Sequence, residues 1–343
     1  MYLDRDFIST REGLLFCVVG CVHPRDRVIA YLKYVPVQNG KWIRGDKRYQ
    51  RTMKKYTVPM LLDNINSLRK NFPQYVYKSK VLGVEMSAVP RRCIAYHYKP
   101  TTKLTQLLLA SSKDELEEKV SGLILKLSDI SGVKVENFGV TGSILLGIHS
   151  QQFSDMDIVV YGQTNVELVQ KSLMSLLDSE TQIRPFLNKT PGQTKLHWAL
   201  SHHITMQEAE WFAARKWYRG TYMDSEFSIL PVKLPQEVQE RYGDLWYRFE
   251  TIIEGTAIIS DIKESYFLPS IYGLEDIHPA SLSMISHLVS YDGFYSGIFK
   301  VGDAVRFCGK LERVLNKKSG EQSWRIVIGS PEAKGLDYVR PIL

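Results

Sequence analysis

Cysteine is scarce in this chain. Four stand at positions 17, 21, 93 and 308, and none forms a Cys-x-x-Cys pair. That excludes a disulfide framework and leaves reduced thiols of a cytoplasmic protein as the reading. Zinc is equally unsupported, because Cys17 and Cys21 have no matching Cys/His pair nearby. Long apolar runs are missing too. The start, "MYLDRDFISTREG", is charged from its fourth residue and lacks the apolar stretch of a signal peptide. No run of about 18 apolar residues exists, so no membrane partner is expected. There is no internal repeat or low-complexity tract. Charge is not lopsided either: 44 Lys+Arg against 37 Asp+Glu leave +7, which admits a polyanionic partner without requiring one.

What is present falls into three textures, and the expectation is an α+β protein of three parts. Residues 1–105 form an N-terminal β-rich module. Within it "LLFCVVGCVHPRDRVIAYLKYVP" reads as a hairpin around a proline-containing turn. Residues 106–240 alternate helices with short strands. Capping-box pairs Ser112/Glu115, Thr164/Glu167 and Thr205/Glu208 predict three helix starts, the third helix running to about Arg219. Leu116, Val120, Leu123 and Leu127 recur at helical spacing, as do Val166, Val169, Leu173 and Leu177. Residues 241–343 hold short strands broken by Gly, Ser and Lys turns, the pattern of a small β-barrel.

The stretch "TGSILLGIHSQQFSDMDIVVYG" carries the chemistry. Side chains alternate on a strand, so Asp155 and Asp157 share a face, while Met156, Ile158 and Val160 take the other and can pack on helices. Two carboxylates so close repel unless a cation lies between them, and hard oxygen donors favour Mg²⁺ or Mn²⁺. Gly142 and Ser143 stand where a strand gives way to a short helix. There the backbone can approach a ligand, and free N–H groups with the Ser143 hydroxyl can hold phosphates. The two halves would clamp a metal-bound nucleoside triphosphate.

This order of strand, Gly-Ser, short helix and Asp-x-Asp strand resembles the nucleotidyltransferase superfamily typified by DNA polymerase beta. Gly142, Ser143, Asp155 and Asp157 match its motif one by one, over a region of roughly residues 110–235. The rest of the chain, including "EGLLFCVVGCVHPRDRVIAYLKYVP", looks like a group of archaeal proteins described only as predicted nucleotidyltransferases. The resemblance implies a mixed sheet with helices, and a metal-dependent transfer of a nucleoside monophosphate from a triphosphate to an acceptor hydroxyl. It also implies a third acid on a later strand. Glu226 in "EFSILPVK" is the candidate by position, with Asp261 in "AIISDIKE" as the alternative.

Other candidates rest on their chemistry alone. Arg215, Lys216 and Arg219 would place cations on one helix near the triphosphate, or simply sit at a helix end. In "KWIRGDKRYQRTMKKY", the bases Lys47, Arg48, Arg51, Lys54 and Lys55 are interleaved with Trp42, Tyr49 and Tyr56. Such a mixture suits an RNA or DNA backbone with stacked bases, or a solvated loop leading into a helix. His197, His202 and His203 lack an acid or thiol at ligand spacing and read as a structural or surface cluster. The acceptor expected is nucleic acid. The alternatives are a non-catalytic nucleic-acid-binding or regulatory protein on the same fold, or transfer to a small molecule or protein side chain.

Overall fold

A computed structural model of the chain describes residues 1–53, 58–179, 182–185, 191–202 and 204–343. It is a mixed α/β structure with three sheets. Among the described residues, no helix is long and apolar enough to cross a membrane.

The first sheet uses β1 (Phe7–Thr10), β2 (Leu15–Val18), β3 (Arg27–Pro36), β4 (Trp42–Arg44) and β5 (Lys47–Arg51). After helix α1 (Val58–Asn71) come β6 (Val76–Lys78), β7 (Glu85–Pro90) and β8 (Ile94–Tyr98). The main order is β4-β5-β3-β2-β1-β8, with β7 also pairing to β3 and to β6. β2 and β3 form the expected hairpin. Within the basic-aromatic stretch, Trp42–Arg44 and Lys47–Arg51 pair as a second hairpin, β4–β5. One face of the sheet packs Ile8, Phe16, Val28 and Leu32 against Leu68 of α1. The sheet curls until its edges meet: Arg44 of β4 donates to the Tyr98 hydroxyl of β8 at 3.2 Å.

The second sheet has the order β11-β12-β13-β10-β9. Its elements in chain order are α2 (Pro100–Leu109), α3 (Glu115–Ser131), β9 (Phe138–Val140), α4 (Gly142–Leu146), β10 (Met156–Tyr161) and α5 (Gln163–Ser179). Then follow β11 (Ile183–Pro185), α6 (Pro191–Ser201), α7 (Met206–Arg215), β12 (Arg219–Tyr222) and β13 (Ser225–Val232). β10 runs parallel to β13 and antiparallel to β9. The helix stripes are core: Leu116, Val120, Leu123, Leu127, Val166, Val169 and Leu173 join Met156, Ile158 and Val160. Leu177 lies outside the residues whose side chains are described. Leu104 and Leu107 of α2 belong to this same core.

Two helix starts differ from expectation. Asp114, not Ser112, caps α3, accepting from the Glu117 N–H at 2.9 Å in a reciprocal box. α5 begins at Gln163, before Thr164, and the Glu237 carboxylate of a distant loop accepts the Gln163 N–H at 2.9 Å. A cap supplied across the fold leaves no local signature. Thr205 and Glu208 do form the expected box on α7. That helix stops at Arg215, because Trp217 turns into the central core and Arg219 opens a strand paired to β13. The two-residue β12–β13 turn puts Met223 and Asp224 at φ 46° and 63°, conformations a sequence usually signals with Asn-Gly.

The third sheet contains β14 (Leu245–Asp261), β15 (Ser270–His278), β16 (Ile285–Ser290), β17 (Ala304–Asn316), β18 (Gln322–Ile328) and β19 (Tyr338–Pro341). Pairing runs β14-β15-β16-β18-β17-β19, and β14 also pairs with β17, which brings the sheet back on itself. Its core takes in Trp198 of α6 and Ala209 and Phe212 of α7, packed on Phe294, Tyr295 and Phe299. These two helices are therefore central in sequence but belong to the C-terminal core.

Candidate active site

β10 carries the site because its two faces do different work. Met156, Ile158 and Val160 are buried on the helix side. The other face looks at the N-terminal sheet: Val159 and Tyr161 pack with Leu3 and Cys21. Asp157 lies on that face within the strand, half-buried, and Asp155 stands one residue before the strand, exposed.

Gly142 is the other half of the geometry. Its φ is +68°, and a Cβ built there would lie 2.2 Å from Asp157 Oδ2. The carboxylate thus occupies the space a side chain at 142 would need. The junction is pinned by backbone contacts: the Thr141 N–H donates to the Asp157 carbonyl at 2.9 Å, and Thr141 Oγ1 donates to the Arg5 carbonyl at 2.6 Å. Ser143 is buried in the first turn of α4. Leu145, Leu146 and Ile148 beyond it plug the concave side of the N-terminal sheet, against Phe7, Leu15, Cys17, Tyr34 and Tyr49. Exposure rises from Gly142 to Asp155, so a ligand would approach from the Asp155 side.

The electrostatics follow from this enclosure. Burial, then the charge of Asp155, pushes the Asp157 carboxyl from its ordinary 3.8 up to about 6, while Lys33, Arg5 and Arg51 pull the other way. All three cations come from the N-terminal sheet or its lead-in. Arg5 and Lys33 went unnoticed in the sequence because single basic residues in unrelated segments carry no spacing signal. Only the curl of the first sheet over β10 brings them in. Arg51, expected on a nucleic-acid groove, is half-buried and acts on Asp157. Lys47 and Arg48 are exposed on β5. Lys54, Lys55 and His203 lie outside the described residues.

The helix-borne cations are placed differently from expectation. Arg215 pairs with Asp303, in the turn just before β17, and stacks 3.8 Å from the Trp211 ring. Lys216 is enclosed: its Nζ donates to the Tyr218 hydroxyl at 2.8 Å and the Phe294 carbonyl at 3.2 Å, and burial pulls its pKa down to about 7. Both therefore serve the junction with the barrel, drawn there because α7 packs in the C-terminal core. Arg219 is not on that helix. It opens β12 opposite Ser228, which itself stands opposite Asp157, so all three share one face across neighbouring strands. Two strand spacings put Arg219 about 10 Å from Asp157 along the sheet.

Glu226 lies on that same face, one pair along, with its carboxylate 3.7 Å from the Arg219 guanidinium. Asp261 ends β14 in the third sheet and accepts the Lys263 N–H at 3.0 Å. Among the described residues, no three His, Cys, Asp or Glu side chains come together as a metal-binding group. Asp155 and Asp157 fit a hard divalent cation by donor chemistry, and Asp157 sits in the cradle that the missing Gly142 side chain leaves. The histidines are structural in setting: His197 contacts the Ser201 hydroxyl at 3.2 Å, and His202 stacks on Phe294 at 3.8 Å beside Asp292.

No protein-family model matches the chain, and no solved structure matches it. It is 28% identical over 348 aligned positions to a protein of Methanocaldococcus jannaschii named only as uncharacterized, covering 98% of each chain.

Proposed function

We propose that the protein is a metal-dependent nucleotidyltransferase. The observation that carries the reading is the seat of the Asp157 carboxylate where a Gly142 side chain would be, which puts the Gly-Ser turn and the Asp-x-Asp strand in contact. Asp155 and Asp157 would hold Mg²⁺ or Mn²⁺, which would neutralise phosphate charge and position the triphosphate. The backbone at Gly142 and Ser143 would face the phosphates, and Arg51, Lys33 and Arg5 supply positive charge over the same spot. In the transfer, an acceptor hydroxyl attacks the α-phosphorus, the bond to pyrophosphate breaks, and the hydroxyl proton passes to a base. Glu226 shares the face of Asp157 and would be that base, and its ion pair with Arg219 must loosen for it to serve.

A second reading, a non-catalytic nucleotide- or nucleic-acid-binding protein on this framework, is favoured by one feature. The position directly opposite Asp157 on β13 is Ser228, not a carboxylate.

Calorimetric titration of ATP, CTP, GTP and UTP with Mg²⁺ tests the shared core of both. Binding that needs the metal and disappears in Asp155→Ala/Asp157→Ala is expected. Folded wild type that binds no triphosphate would sink the nucleotide site. Labelled-nucleotide transfer then separates the two readings: Glu226→Gln removes turnover while binding persists if the enzyme reading holds. Within the cationic set, Arg51→Ala should weaken triphosphate binding by about 10- to 100-fold, the worth of one charge-assisted contact, and Lys47→Ala should leave it unchanged. Equal effects of the two would show that only bulk charge matters.

A further inference from the structure

We propose that the rim of this site is a track for a single-stranded polynucleotide acceptor, laid along Phe153, Trp42, Arg44, Tyr98 and Tyr96. The inference rests on the nucleotidyl-transfer reading for its direction alone, with the reacting hydroxyl at the Asp155 end.

The five side chains form one continuous line. Phe153, which precedes Asp155 in the same loop, meets Trp42 edge-on with ring centres 5.7 Å apart. Trp42 is backed by Tyr34 at 5.5 Å, so its ring is held in place. Arg44, next on the same face of β4, donates to the Tyr98 hydroxyl at 3.2 Å and lies over its ring at 6.0 Å. Tyr98 meets Tyr96 at 4.5 Å. The line exists because the curled first sheet brings its two edge strands together.

The ends of the line are not core. Phe153 is 50% exposed and Tyr96 57%, and neither belongs to a hydrophobic cluster of the fold. Two large rings left half in water at either end of a braced aromatic row are surfaces on which bases stack, and stacking needs bases freed from a duplex. Charge matches the backbone such a strand would bring. On the face that Trp42 and Arg44 share, Lys47 stands opposite Arg44 on β5, so two cations line the row on the β4–β5 hairpin. The paired barrel strands β15 and β16 are a poorer platform: their exposed positions are Glu275, Asp276, His278, Ser286 and His287, without a Lys or Arg.

The test is fluorescence anisotropy on the full chain with a labelled oligonucleotide of about 12 nucleotides, as single-stranded RNA, as single-stranded DNA and as a duplex. Tyr96→Ala and Phe153→Ala are exposed truncations, and Phe249→Ala on the barrel is the exposed aromatic control. Single-strand binding is expected to exceed duplex binding and to fall about 5- to 100-fold for each track variant, while the control binds as wild type. The RNA and DNA arms identify the sugar. Preference for duplex, or a Tyr96→Ala/Phe153→Ala protein that binds a single strand as wild type does, would overturn the track. None of these readouts uses a triphosphate. Loss of the nucleotide site with the track intact, or the reverse, is therefore seen directly.

Discussion

Gly142→Ala should abolish metal-dependent triphosphate binding and destabilise the protein. Two separate penalties meet at this residue. An alanine held at φ +68° carries a left-handed backbone penalty of about 1–2 kcal/mol. Its Cβ would also fall 2.2 Å from Asp157 Oδ2, a separation that no relaxed pair of atoms keeps. The collision can be relieved only by swinging the carboxylate or lifting the turn. The turn is tied to Asp157's own backbone by the Thr141 N–H at 2.9 Å, so the side chain is the part that yields. The expected result is a fall of several degrees in melting temperature with nucleotide binding gone, read by thermal denaturation and calorimetry. Gly147→Ala is the matched control. It too has positive φ, at +64°, but nothing lies within 4 Å of where its Cβ would stand, so it should lose stability and keep binding. If Gly142→Ala binds triphosphate as wild type does, the contact between turn and strand has no functional weight.

That contact was half legible in the sequence. The order Gly142, Ser143, Asp155, Asp157 and the alternation of Met156, Ile158 and Val160 could be read directly, because both are local patterns that a strand imposes. The charges over Asp157 could not. Arg5, Lys33 and Arg51 come from three separate places in the N-terminal region, and only the curl of its sheet gathers them. Arg219 shows the limit from the other side. The capping box at Thr205 announced a helix correctly, but nothing local marked its end, since the stop is set by Trp217 entering a core built from distant segments. The pairing of the barrel strands β16 and β19 was not legible for a related reason. Their partners β15, β17 and β18 lie in other segments, so their pairing is a property of the closed sheet more than of their own residues.

Asp157→Asn should change stability and binding in opposite directions, and the pH dependence fixes the sign. The carboxyl's folded value of about 6 lies above its ordinary 3.8, so the native state holds that proton more tightly than the unfolded chain does. Stability from this group is therefore fully present below about pH 4 and is lost as pH rises through 6. At pH 8, with metal chelated, the buried charge beside Asp155 is uncompensated by roughly 1–3 kcal/mol, even with Lys33, Arg5 and Arg51 nearby. Asparagine keeps the shape and removes the charge. The variant should melt higher than wild type at pH 8 in chelator, and the gap should close as pH falls towards about 4. Added Mg²⁺ and triphosphate should then stabilise wild type and leave the variant unmoved, because a neutral amide is a poor ligand for a hard cation. A variant that melts lower than wild type at pH 8 would show that the three cations outweigh burial and Asp155, making Asp157 a structural counter-ion. A wild type that melts lower than the variant in chelator and higher with Mg²⁺ and triphosphate would mark Asp157 as a carboxylate kept for what it binds.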